Sequence, residues 1–205
     1  MGAFSLSFLV ILSLAWTIQE IQGTRLTFYW VVYEKDYPQG SDEQLATCSG
    51  KTLARTSKKF AEDIKVEGSG ILRNEDILNL GSCISTANPC EKKNGKYNCF
   101  DKVSAPLGSQ NNKLVPFVSV ASNGLPFGTT GVIAEFVGKK LPNGKETHDG
   151  CVRVDDTCST CTHNDWVDFY VLKKRNYEFI LSNWGVKDNV KFTEKKCTPK
   201  KYNVK

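Results

Sequence analysis

Histidine is scarce in this chain: only His148 and His163 occur in 205 residues. Neither has a Ser or Cys nucleophile in a recognisable triad context, which argues against a hydrolase triad. Cys158-x-x-Cys161 has no second CxxC to complete a tetrahedral zinc site, so neither metal nor cofactor is expected. Gly124-x-x-x-Gly128 is followed by neither a lysine nor a helix start, so it reads as a turn and not as a phosphate loop. No Asn-x-Ser/Thr sequon, internal repeat, low-complexity tract or linker is found.

Long apolar runs are equally few. One spans Phe4 to Ile18, too short to cross a bilayer comfortably and ending in small or polar residues. It reads as a secretory signal peptide over residues 1–23, leaving residues 24–205 as a single domain, secreted and free of the membrane once cleaved. All eight cysteines (Cys48, Cys83, Cys90, Cys99, Cys151, Cys158, Cys161 and Cys197) lie after that block. An even count in an oxidising compartment reads as disulfides, with connectivity left open. The formal net charge of +5 is dispersed, with small clusters at Lys58-Lys59, Lys173-Lys174-Arg175 and the tail. Such a surface reads as a solvated basic face and not a nucleic-acid groove, though it favours anionic cell-wall polymers.

Short runs rich in β-branched and aromatic residues predict strands at 26–33, 117–122, 131–137, 151–156 and 166–172, punctuated by Gly, Pro and Asn turns. Leu53 to Ile64 is spaced helically and predicts one short helix, and Cys83 to Gly108 reads as a loop pinned by cysteines. Many short strands with few helices indicate a mainly β barrel or sandwich.

The last run, WVDFYV, carries an aspartate inside an apolar strand. Alternation sends Val167, Phe169 and Val171 to one face and Trp166, Asp168 and Tyr170 to the other. The first set belongs in the core. The second, a carboxyl between two amphipathic rings, has the composition of a sugar-binding groove floor, the rings stacking and the acid donating. Burial among aromatics and a second carboxylate, with Asp155-Asp156 as the source, would raise the pKa of Asp168 enough for acid catalysis. The alternative is an exposed strand face with a solvated aspartate and rings engaged in cross-strand pairing.

VSVASNGLPFGTTGVIAEF (118–136), HDGCVRVDDT (148–157) and NDWVDFYV (164–171) resemble the 3D domain, named for three aspartates. The upstream segments FYWVVYEKDYP, LARTSKKFAEDIKVEGSGIL and CFDKVSAPLGSQNNKLVPF resemble secreted fungal members of that group. The resemblance implies a six-stranded double-psi β-barrel related to the catalytic part of membrane-bound lytic transglycosylase A, and more remotely to barwin and expansins. It places Asp168 at the family's catalytic acid and Asp156 at the aspartate opening its D-x-G-G-x-x-x-G loop. Asn123 falls where the family has its first aspartate, and the glycine-rich loop is replaced by CSTCTHND, one residue longer.

The implied activity is non-hydrolytic cleavage of peptidoglycan by one carboxyl acting in turn as acid and base. Asp168 and Asp156 would be catalytic, with Trp166, Tyr170, Asn123 and Glu67 along the glycan. The partner expected is a cell-wall polysaccharide, and the chain is expected to act as a monomer. A non-catalytic carbohydrate-binding module of the expansin or barwin kind is the alternative, keeping Trp166 and Tyr170 without needing a protonated Asp168. A secreted effector or inhibitor using the barrel as a scaffold is a third reading.

Overall fold

The computed structural model describes residues 23–85 and 88–204; the apolar block at Phe4 to Ile18 lies outside them. The chain is mainly β, with two short helices, Lys58–Glu67 and Lys174–Asn183. All eight cysteines are paired, as Cys48–Cys83, Cys90–Cys99, Cys151–Cys197 and Cys158–Cys161.

The largest sheet has seven strands, ordered Asn189–Val190, Thr24–Tyr29, Trp166–Tyr170, Ser119–Ala121, Cys151–Asp156, Thr130–Ile133 and Phe192–Glu194. Thr24–Tyr29 runs parallel to Trp166–Tyr170, which runs antiparallel to Ser119–Ala121. The expected six-stranded closed barrel is not what this ladder gives: its pairing stays open at both edges. Those edges, Asn189–Val190 and Phe192–Glu194, are separated in sequence by Lys191 alone.

The alternation expected for the Trp166 strand holds on one side. Val167, Phe169 and Val171 enter a core with Phe117, Phe136, Trp184 and Ile180. Phe169 meets Phe28, Phe117 and Phe136, ring centroids 6.3, 5.9 and 4.7 Å away. His148 belongs here too: its Nε2 lies 2.8 Å from the Phe117 carbonyl while its Nδ1 accepts from Gly150 N–H. That pattern assigns the Nε2–H tautomer, and burial pushes the imidazole down to about 4, so it is neutral. Trp184 is likewise a core residue, its indole N–H bonded to the Lys140 carbonyl.

A second core gathers Val32, Leu45, Phe60, Ile64, Leu78 and Phe100, between two four-stranded sheets drawn from residues 32–103. Here the expectations need two corrections. Leu53 is not helical, because Thr52–Thr56 pairs antiparallel with Glu43–Ala46 and the helix begins only at Lys58, capped by the Ser57 hydroxyl. The segment from Cys83 to Gly108 is not merely a loop, since Lys96–Asn98 pairs with Glu43–Ala46 and Phe100–Val103 with Ile77–Leu80.

Deleting the Phe169 side chain empties the centre of the first core. Phe169→Ala is expected to lower stability by about 3–5 kcal/mol, seen as a lower urea midpoint at unchanged slope; an unchanged midpoint would contradict this packing.

Candidate functional site

Asp168 takes its place from the ladder. Thr27 is its register partner on one side and Ala121 on the other, and Ala121 is also the partner of Asp156 across a register shift. Thr27, Asp168, Ala121 and Asp156 therefore lie across four adjacent strands. Two strand spacings, about 10 Å of backbone, separate the two aspartates, and Ala121 between them is too small to fill the interval.

Each carboxyl is held by specific donors. Asp168 Oδ1 accepts from the Thr27 hydroxyl at 2.8 Å, and Thr27 Oγ1 accepts from the Trp166 indole N–H at 2.8 Å. Asp156 Oδ1 accepts from the backbone N–H groups of Ser109 and Thr157, both at 2.8 Å, and Oδ2 lies 3.4 Å from the Tyr29 hydroxyl. Ser109 reaches the strand because Gly108 precedes it: a Cβ on Gly108 would fall 2.2 Å from the Asp155 carbonyl oxygen.

The third carboxyl is Glu67, expected as a groove residue. It ends the helix Lys58–Glu67, where Gly68 turns into the left-handed region at φ 80°. Its Oε2 accepts from the Trp30 backbone N–H at 2.9 Å, which ties the end of the helix to the residue that follows the strand Thr24–Tyr29.

These groups feel one another. Burial, reinforced by the Asp156 charge and opposed by the Thr27 hydroxyl, raises Asp168 to about 6. Burial raises Asp156 to about 6 against the Thr157 and Ser109 donors. Glu67 is pushed up to about 8 by burial and by the charges of Asp168 and Asp63, against the Trp30 N–H. Burial and the charges of Asp156 and Asp168 push the Tyr29 phenol well above its usual range. At neutral pH Glu67 is mostly protonated, and the aspartates titrate just below neutrality. Asp155, the other half of the expected pair, faces elsewhere: it is buried against Arg153, at 2.6 Å, and the Ser119 hydroxyl.

Trp166 and Tyr170 do not form the open floor expected of them. They are 7% and 1% exposed. Tyr170 packs on Tyr29 at 5.2 Å within a small cluster that includes Val31, Leu114 and Cys158. Trp166 is covered by the Arg25 guanidinium, 3.8 Å from its ring centroid. Asn123 is exposed but engaged: its side-chain amide donates to the Cys158 carbonyl at 2.8 Å and accepts from Cys158 N–H at 3.1 Å. Thr27, Tyr29 and Ser109 were missed by sequence reading; only the pairing of residues 24–29 with 166–170 exposes the first two. Among the described residues no three His, Cys, Asp or Glu side chains are grouped to hold a metal ion.

No family pattern and no curated protein matches the chain. Solved structures do. E. coli MltA with bound chitohexaose aligns with TM-score 0.51 at 12% identity, over 80% of this chain and 69% of that one. The membrane-bound lytic murein transglycosylase of Agrobacterium tumefaciens aligns with TM-score 0.46 at 11% identity, over 73% of this chain and 66% of that one. The likeness to MltA is one of fold, and the chain spans about two thirds of the length of these structures.

The raised carboxyls carry a sign for stability. A folded pKa above the unfolded one stabilises fully below the unfolded value and is lost as pH rises through the folded value. Asp168→Asn is therefore expected to gain stability relative to the parent as pH climbs from 4 through 6, reaching about 1–3 kcal/mol at pH 7. Parallel urea titrations of both proteins across that range check this; a difference independent of pH would contradict it.

Proposed function

We propose that this protein is a secreted lytic transglycosylase or muramidase-like enzyme that cleaves peptidoglycan with Asp168 as its acid and base. The observation that carries this reading is the placement of Asp168 and Asp156 two strands apart in one sheet, both half-buried and titrating near 6, with the distant Glu67 close enough to feel the charge of Asp168. The MltA-like fold supports it, as does the fact that the aligned MltA structure holds a chitohexaose. Four disulfides support an extracytoplasmic setting.

The barrel expectation belongs to the same proposal. Asn189–Val190 pairs with Thr24–Arg25, and Phe192–Glu194 pairs with Gly131–Ile133. Taken as one strand bent at Lys191, residues 189–194 join the two edges, and the seven strands count as six in a closed double-psi barrel. The residues of the second core then form a wall beside it, with Glu67 at the seam.

In the proposed reaction Asp168, protonated, gives its proton to the glycosidic oxygen as the C1–O bond breaks and an oxocarbenium-like centre develops. The resulting carboxylate takes the proton of the sugar's C6 hydroxyl, whose oxygen bonds to C1 and closes a 1,6-anhydro ring. One carboxyl performs both transfers because no water is activated on the opposite face, unlike the paired acids of ordinary glycosidases. Asp156 biases Asp168 towards its protonated form through its negative charge. Protonated Glu67 adds a hydrogen-bond donor without adding charge. A binding module would depend on open rings for stacking, and the burial of Trp166 and Tyr170 weighs against that alternative.

Mass spectrometry of peptidoglycan incubated with the purified protein, beside Asp168→Asn, tests the reading. Anhydromuramyl ends from the parent and none from the variant are expected. Reducing ends would identify a hydrolytic muramidase, and no fragments from either protein would overturn the enzymatic assignment in favour of the binding module.

A further inference from the structure

The parallel pairing of Thr24–Tyr29 with Trp166–Tyr170 sets Arg25 opposite Trp166 and Thr27 opposite Asp168. Through it runs a chain of contacts with a fixed direction. An indole N–H can only donate, so the 2.8 Å contact from Trp166 Nε1 makes Thr27 Oγ1 an acceptor. A threonine hydroxyl has one proton. Among the hydrogen bonds of the described residues, its recorded acceptor is Asp168 Oδ1, also at 2.8 Å. The Arg25 guanidinium over the indole face, 3.8 Å from the centroid, draws ring electrons towards itself and strengthens the N–H as a donor.

We propose that Thr27 is the positioning residue of Asp168: the Trp166 indole turns the Thr27 proton onto Oδ1, leaving Oδ2 as the oxygen that gives and takes protons. This rests on the reading of Asp168 as the acid and base. With Oδ1 engaged, the carboxyl plane is fixed, and the proton of the acid form sits on the oxygen away from Thr27. The same bond favours the carboxylate and so keeps Asp168 from being held protonated too tightly to release its proton. The other titratable groups coupled to this carboxyl are Asp156, two strands away, whose charge acts on it, and Glu67 at the helix end and Tyr29 two residues beyond Thr27, on which its own charge acts. Among the described residues none of the three is hydrogen-bonded to Asp168: the Tyr29 hydroxyl points to Asp156 Oδ2, and Glu67 Oε2 accepts from the Trp30 N–H.

The test reads Asp168 directly and needs no glycan. Carbon-13 NMR of the aspartate carboxyls in the full chain, with the Asp168 signal assigned by its loss in Asp168→Asn, gives its midpoint and chemical shift. Thr27→Val keeps the shape but removes the hydroxyl, and should raise the midpoint by about one unit. Thr27→Ser should stay within a few tenths of the parent, and Trp166→Phe, which frees the Thr27 hydroxyl to rotate, should fall between. On peptidoglycan, Thr27→Val should reduce kcat at least tenfold with little change in KM and shift the pH profile upwards, and Thr27→Ser should restore both. An Asp168 midpoint unchanged in Thr27→Val would overturn the proposal, whatever the activity. If Thr27→Val does not fold, the Trp166→Phe and Thr27→Ser pair decides: equal midpoints in the two would also overturn it. A midpoint that moves as described in a protein without glycan cleavage would leave the positioning intact and remove the enzymatic reading on which its use depends.

Discussion

The parallel ladder between residues 25–29 and 166–170 is the constraint on which the rest of the site depends. It joins segments 141 positions apart, so the chain must close a long loop before any contact in it forms, and that entropic cost is recovered only by what the pairing buries. The recovery is on both faces. On one, Val167, Phe169 and Val171 enter the main core. On the other, Tyr29 meets Tyr170 and Arg25 covers Trp166, leaving Thr27 and Asp168 between two packed pairs. Because side chains alternate strictly, a slip of one residue in this register would put Val167 or Phe169 opposite Thr27, where the carboxyl now sits. Register, core and acid are therefore specified by the same pairing.

Three carboxyls at such a place would repel one another if all were ionised, and burial removes the water that would screen them. The structure meets this with uneven support. Asp156 has two backbone N–H groups and the Tyr29 hydroxyl within reach, Asp168 has one threonine hydroxyl, and Glu67 has one backbone N–H. Glu67 responds by staying protonated into the neutral range. A cluster of this kind destabilises the folded chain at neutral pH, and folding alone gives no reason to keep it. The proposed role would supply one, because an acid that must both give and take a proton has to titrate near the working pH.

Parts of this were legible in the sequence. Period-two alternation placed Val167, Phe169 and Val171 correctly because a core face is marked by its own composition. The same rule failed to describe the fate of Trp166 and Tyr170, since what covers them, Arg25, Tyr29 and Leu114 among others, is supplied by distant segments. The helix ending at Glu67 was visible from Phe60, Ala61 and Ile64, but Leu53 shares their apolar character and its strand pairing with residues 43–46 cannot be seen locally. The helix Lys174–Asn183 gave no start signal: Lys173 occupies its N-cap without a side-chain hydrogen bond. The strands at 96–98 and 100–103 were masked by a lysine-rich, cysteine-bearing composition that resembles a loop.

Asn123, which the sequence resemblance sets against an aspartate, has a physical reading of its own. Its amide makes two bonds of opposite polarity with one residue, donating to the Cys158 carbonyl and accepting from the Cys158 N–H. An aspartate there could accept the second but, when ionised, could not donate the first, and its charge would face a carbonyl oxygen at hydrogen-bond distance. The loop that Asn123 clasps is the one closed by Cys158–Cys161, where the resemblance leads one to expect flexible glycines. The asparagine and the disulfide thus form one device: the short covalent ring presents Cys158 in fixed orientation, and only a neutral amide completes its hydrogen bonds. Fixing the loop this way also holds Thr157, whose N–H supports Asp156. A neutral side chain at position 123 thus helps hold in place the backbone donor of Asp156, two strands from Asp168.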